Sequence, residues 1–568
     1  MKHIFFKSAL PLVGLLALTG CIDDKYDLSD VDTSTEIKVN NLVIPVKLAS
    51  ITLEQLLDID EEDPDATVVT YTGDDGKTYY AIRKKGDFHA DDIYIEKVYA
   101  SEATVVPVPT MDFNSGSGSY TIPSISTTFT YKDVAVDPSI EKIASFMLED
   151  GDHLTVNTVF TCSKSQFTIQ NLVIALPKGF VGSYNGGTPT SDGKVNVGTV
   201  SSTNGRCEVT IDVKELDLVE TYPEQGGIDN PTGTIDITDK IGVDSGTLVA
   251  SGNVTLDVAF SLDAFTVAAF SGNVNYEIEE PEIEPADLSD LPDFLSNENT
   301  DVTLVNPQLY LEINNGASEY GGLCYSGLSI IPWREENASD ALTIDEFLIG
   351  ANNAESNTYN LVLAPNPSNV PASVAGEYPD LHSDVYENLK YILTGQGLPE
   401  TLSFEMLHPV LRSPVHDFPL GTNMTYHGDY TFFSPLDFEQ GSIIYYVKEE
   451  KDWFEGDVDK MHVKKLHINA VASTNLKYDI TLNAYPYVKD YDTGEVTIDR
   501  SNKATAPIPA LSTDYPIELD FPKEIIGLDG IYFEAVFLSM EEDTLNSEQY
   551  LNLDNLKATV DGSYFTEF

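Results

Sequence analysis

Three histidines stand close together in the second half of the chain, His408, His416 and His427, with Asp417 and Asp429 beside them. Imidazole and carboxylate together are ligands for zinc and other transition metals. Spacings of eight and eleven residues fix no common strand face, and Pro409, Pro414 and Pro419 predict a winding loop. The sequence therefore favours surface histidines and assigns no metal there. Asp58, Asp60, Glu61, Glu62, Asp63 and Asp65 form an oxygen-rich run of the kind calcium takes, without the ordered Asp/Asn/Gly pattern of an EF-hand loop. Among 92 acidic residues such runs arise by chance, so a solvated acidic loop is the favoured reading and calcium the lesser one.

Nucleophilic and phosphate chemistry is missing its usual spacings. No histidine is followed by Glu, which excludes an HExxH zinc-hydrolase helix, and GxSxG and GxGxxG are absent. Gly186-Gly187-Thr188-Pro189-Thr190-Ser191-Asp192-Gly193-Lys194 has the outline of a phosphate loop, but its glycines are wrongly spaced and Val195 replaces the magnesium-holding Ser or Thr. It reads as a hairpin loop. A carboxylate pair for glycoside hydrolysis is defined by separation in space, which sequence does not give. No catalytic residue is assigned.

The elements that must position any site are strands. Val254, Leu256, Val258, Phe260 and Leu262 alternate with polar or small residues, as do Leu476 to Ala484 and Leu309 to Ile313. Alternation puts one face in a core and the other in water, which means antiparallel sheets. Gly73-Asp74-Asp75-Gly76, Ser191-Asp192-Gly193 and Asp490 to Gly494 supply turn chemistry between strands. Helical signals are confined to Ser383–Leu393, where Val385, Leu389 and Ile392 repeat, and to a short stretch at Leu53–Leu57. The expectation is an all-β, multi-domain chain of antiparallel β-sandwiches of Ig-like or Greek-key type with few short helices. Pro/Gly-rich 222–231 and Glu-Pro-rich 277–292 suggest domain boundaries, and length suggests a third near 425. The resulting units are 37–220, 232–292, 293–424 and 425–568.

At the N-terminus, basic Lys2 and Lys7 precede an apolar run from Ala9 to Leu18 and then Leu18-Thr19-Gly20-Cys21. This is the layout of a secretory signal, with a core too short to span a bilayer. Leu18-Thr19-Gly20-Cys21 resembles the lipobox of bacterial lipoproteins, and the acidic run Ile22-Asp23-Asp24-Lys25-Tyr26-Asp27 resembles the surface-export signal of Bacteroidetes lipoproteins. The resemblance implies a signal peptide over 1–20, lipidation of Cys21 by fatty acyl chains such as palmitate, and an acidic tether over 21–36. It further implies export to the outer cell surface through Asp23 and Asp24. Such export crosses an oxidising compartment, which permits a disulfide between Cys162 and Cys207. The alternative is that both, with Cys324, are small buried hydrophobes.

A formal charge of −60 closes off nucleic acid, whose phosphates demand clustered Lys and Arg. Surface lipoproteins of the type resembled here often capture sugars, and aromatic faces stack on sugar rings. Trp453, in the polar segment Glu449 to Glu455, is the candidate contact, whereas Trp333 after Ile330-Ile331-Pro332 reads as core. Function is therefore expected to be non-catalytic: a lipid-anchored surface protein that captures a neutral glycan or a protein, or docks on an outer-membrane β-barrel or another surface lipoprotein. Alternatives are a fimbrial or adhesin subunit and a glycan hydrolase with scattered carboxylates. No cofactor is expected beyond the calcium already weighed.

Overall fold

The computed structural model describes residues 34–45, 51–53, 57, 66–114, 118–334, 337–350, 357–451, 453, 461–490 and 493–567. Period-two alternation builds it. In Val254–Leu262 the five apolar positions are buried and the residues between them face outward. Strands join in antiparallel ladders, with one parallel pair among the described residues, so the architecture is the all-β antiparallel one that alternation predicts.

In the first sandwich, Lys194–Ser201, Thr168–Ala175, Thr234–Val249 and Ile125–Ala135 form one sheet. Facing it is a larger sheet that includes Val254–Leu262, Leu154–Cys162, Arg206–Asp217, Ile140–Leu148 and Phe265–Glu277. Rings interlock between the two. Phe129 meets Phe180 at 5.9 Å and Tyr131 meets Phe265 at 5.1 Å between centroids. The larger sheet continues, because Phe265–Glu277 also pairs with Thr401–Pro419, and that strand with Cys324–Arg334.

Four further strands build the layer that carries the candidate site: β1 (Thr78–His89), β2 (Gln308–Asn315), β3 (Thr358–Ala364) and β4 (Tyr426–Pro435). Their lateral order is β1–β4–β2–β3. One face packs on the extension of the large sheet, with Phe404 of Thr401–Pro419 4.7 Å from Tyr430 of β4. The hairpin into β1 closes through Gly73–Gly76, where Gly76 takes φ +80° and the Gly76 amide donates to the Gly73 carbonyl.

The C-terminal sandwich sets Ile443–Glu450, Leu528–Ser539 and Tyr478–Lys489 against Met461–Thr474 and Tyr550–Glu567. At its edge Ser34–Pro45 pairs with Tyr550–Glu567 from Ser34↔Glu567 to Pro45↔Lys557. Of the side chains described in that edge strand (36–43), none is fully buried; backbone hydrogen bonds hold it, helped by Leu42 packed against the core and by the Asn41 amide donating to Asp561 Oδ1 at 2.7 Å.

The ladders run across all three expected divisions. Thr234–Val249 pairs with Ile125–Ala135, Phe265–Glu277 with Thr401–Pro419, and β4 with β1 and β2. The stretches 222–231 and 277–292 are connections within continuous sheets and add short paired strands to them, Ile228–Asp229, Glu282–Ile283 and Ala286–Asp287, since loops and linkers share a composition. Ser383–Leu393 also departs from expectation. His382–Val385 is a strand parallel to β3, and Glu387–Leu393 is a 3-10 turn. Leu389 and Ile392 are buried as their spacing suggests, but an i,i+3 pair suits 3-10 geometry as well as α, and Val385 is 66% exposed. Leu53 and Leu57 are helical and buried; the residues between them lie outside the described ones.

Candidate functional site

On the outer face of the β1–β4–β2 layer, alternation lines up polar side chains in rows. Asp87 of β1 stands opposite Asp429 of β4, which stands opposite Glu312 of β2. One step along, His89, His427 and Asn314 form a parallel row. In the other direction Lys85 faces Thr431 and Thr431 faces Tyr310. The reverse face of the same strands is apolar, and two glycines let it close. Gly86 sits under Tyr430, where an added Cβ would lie 2.4 Å from the ring, and Gly428 sits under Phe88, where it would lie 2.6 Å away. Each ring thus lies over the residue across the ladder, which leaves the polar rows facing outward.

The segment after β3 folds back over part of this face. Val374 and Tyr378 join Tyr310, Val362, Ala364 and Phe433 in a small apolar core. Polar contacts stitch the segment down. Arg83 donates to Glu377 at 2.5 Å, the Tyr378 hydroxyl to Thr431 Oγ1 at 2.7 Å, and Asn360 Nδ2 to the Pro379 carbonyl at 2.7 Å. Where it ends, a groove of about 510 Å³ opens, lined by Lys85, Asp87, Glu312, Glu377, Asp429 and Thr431, with the Tyr378 ring at its wall. Burial raises the proton affinity of the Tyr378 hydroxyl, so it stays a neutral donor. The groove offers carboxylate acceptors, one ammonium and an aromatic wall. That set can hold hydroxyl-rich or basic ligands and presents no nucleophile paired with a base.

A second cleft, of about 400 Å³, lies where the β1 hairpin meets the C-terminal sandwich. Burial, and then the charge of Glu542, push the Asp437 carboxyl up to about 6, and its Oδ1 is buried without a partner. Asp543 is raised as well, chiefly by burial, although Gln549 Nε2 donates to it at 2.8 Å and Lys477 lies 3.4 Å away. This cleft holds a carboxyl group whose protonation extends to about pH 6, well above the ordinary carboxylate range.

The residues singled out from sequence are dispersed. Cys21, Asp23, Asp24 and the run Asp58 to Asp65 lie outside the described residues. Cys162 and Cys207 are buried free thiols on neighbouring strands; the bridge that the export route permits is not formed, and the alternative of small buried hydrophobes fits. Phe160, not Cys162, stands opposite Cys207, so the two sulfurs are diagonal across the ladder, beyond ordinary disulfide reach. Trp453 is half-buried against the C-terminal core, its amide donating to the Asp529 carbonyl at 3.0 Å, and it does not line the groove. Trp333, expected in the core, is half-buried.

The histidine group comes apart. Thr401–Pro419 is one long strand rather than a winding loop. The ladder to Cys324–Arg334 shifts register beside His408 and Pro409, and Pro414 pairs on one side only, which is how a strand tolerates proline. The His408 side chain is 96% exposed and His416 is exposed. Only His427 and Asp429 reach the polar rows, and their partners there, His89 and Asp87, were invisible as partners because they come from a distant strand. The visible signal was the alternation Lys85, Asp87, His89 around Phe88. Among the described residues no group of three or more His, Cys, Asp or Glu side chains is placed to hold a metal ion.

No family model matches the chain, and no curated protein matches it. Among solved structures it is similar to a protein of Parabacteroides distasonis provisionally named as secreted, with a TM-score of 0.32 and 15% identity, over 52% of this chain and 90% of that one. A chain of broad bean stain virus gives a TM-score of 0.14 at 10% identity, over 50% and 86%. PNGF-II gives 0.14 at 7% identity, over 85% and 98%. At these scores none bears on function.

Proposed function

We propose that the chain is a lipid-anchored, surface-exposed binding protein that captures its ligand in the groove on the β1–β4–β2 face. The observation that carries this reading is the groove itself, where carboxylates, Lys85 and the Tyr378 ring converge beside a rigid sheet. At −60 the protein repels polyanions, so neutral glycans, or a protein offering basic and apolar patches, fit the acceptor-rich lining. The anchor is Cys21, with Asp23 and Asp24 directing export, and an outer-membrane β-barrel or a second surface lipoprotein is the partner expected at the membrane. The test is retention of the Cys21→Ala form on neutral polysaccharides and on lysine-rich peptides, set against polyanionic glycans. Weakening of about tenfold in both Asp429→Asn and Glu312→Gln supports the groove. Equal binding by wild type and both variants overturns it.

A second reading, as a glycan hydrolase, draws on the raised carboxyls of Asp437 and Asp543. Turnover of a glycan that disappears in Asp437→Asn would favour it over capture.

A further inference from the structure

We infer that His89 and His427 form a two-histidine clamp for a divalent transition ion, with zinc as the first candidate. The two imidazoles come from adjacent strands, stand in register across the β1–β4 ladder, and have ring centres 5.8 Å apart. A ring nitrogen binds zinc at about 2.0–2.1 Å, which puts each ring centre roughly 3.2 Å from the ion and the centres of two rings on one tetrahedral ion about 5.2 Å apart. The observed separation is within a small side-chain rotation of that distance. Both rings have room to turn, since the His89 side chain is 71% exposed and His427 is half-buried on an open face.

The surroundings suit a cation. His89 Nε2 lies 3.0 Å from Asp87 Oδ2, the carboxylate–imidazole contact that orients a ligand ring and leaves its other nitrogen free for the ion. Glu282 stands opposite His89 on the outer side, and Asp429 lies on the His427 strand one step along the same face. The groups therefore form a clamp only when the rings turn inward, with Asp429 or water completing the coordination. Imidazole selects zinc, nickel or copper over calcium, which prefers oxygen. The clamp stands one step along the ladder from Asp87 and Asp429 of the groove and does not depend on what the groove captures.

Zinc titration of the full chain by calorimetry, with calcium as control, is the test. One zinc site is expected, weakened at least tenfold by His89→Gln and by His427→Ala and unaffected by His408→Ala or His416→Ala. His89→Gln changes an exposed side chain, and circular dichroism checks that each variant folds. Absence of zinc binding, calcium binding of equal strength, or full affinity in His89→Gln would each overturn the clamp.

Discussion

The ring of Tyr378 lies flat on that of Tyr310, with centroids 4.8 Å apart and planes 15° from parallel. Tyr310 occupies the outward row of β2, yet it is fully buried because a segment beyond β3 carries Tyr378 onto it. The stack decides where the covered part of the face ends and the groove begins.

Tyr378→Ala should cost about 2–3 kcal/mol, from the lost stack, the lost hydroxyl bond to Thr431 and the uncovered Tyr310 ring. Tyr378→Phe keeps the stack and should cost about 1 kcal/mol. Urea denaturation midpoints at constant slope read both. Equal costs would mean that the ring contributes nothing.

Gly428→Ala should destabilise by more than about 2 kcal/mol, because the new Cβ would fall 2.5 Å from the Glu312 carbonyl and 2.6 Å from the Phe88 ring. Gly441→Ala is the control: nothing lies within 4 Å, and only its φ of +92° is penalised, at about 1 kcal/mol. The same denaturation series compares them.

Asp437 makes stability depend on pH. Its folded carboxyl, at about 6, lies above its ordinary value of 3.8, so the folded state holds the proton more tightly than the unfolded state. The contribution is fully present below about pH 4 and is lost as pH rises to 6, amounting to at most about 3 kcal/mol. Asp437→Asn should therefore stabilise the protein at pH 7 and leave it nearly unchanged at pH 4. A stability gain of equal size at both values would refute the burial argument.

Cys162, Cys207 and Cys324 should resist alkylation in the native protein and all react after denaturation, because each is buried and free. Burial also raises the thiols of Cys207 and Cys324. Mass spectrometry after iodoacetamide counts the labels, and a reductant should leave the melting temperature where it was.

Cys21→Ala should release the protein from membranes, whereas replacing Asp23 and Asp24 with Ala should leave it anchored but facing the periplasm. Protease shaving of intact cells separates the outcomes. Equal digestion of the double variant and the wild type would remove the export-signal reading.

Local alternation made the strands legible: Val254 to Leu262 and Leu476 to Ala484 bury the apolar residues their spacing marks. Partners were not legible, because a ladder between β1 and β4 leaves no trace in the composition of either strand. His427 was visible, but its neighbour His89 was not. Pro409 and Pro414 misled for a related reason, since a register shift and a one-sided ladder absorb them only in three dimensions. The fold class was therefore open to sequence reasoning, and the site, which is made by register, was not.

The edge strand Ser34–Pro45 also sets a mechanical property. Force arriving from the N-terminal side enters at Ser34, whose partner is Glu567, and is met mainly by backbone hydrogen bonds, with Leu42 the one described side chain of the strand packed against the core. Pulled along its axis, the strand shares the load among its rungs; peeled from one end, it yields rung by rung. Released, its 12 residues would pay out as much as about 40 Å of slack while the sandwich beneath keeps its apolar core. Under the anchoring proposed at Cys21, that strand is the first described element to meet a load on the leading end, and its release would lengthen the tether while the sheets beneath stay paired.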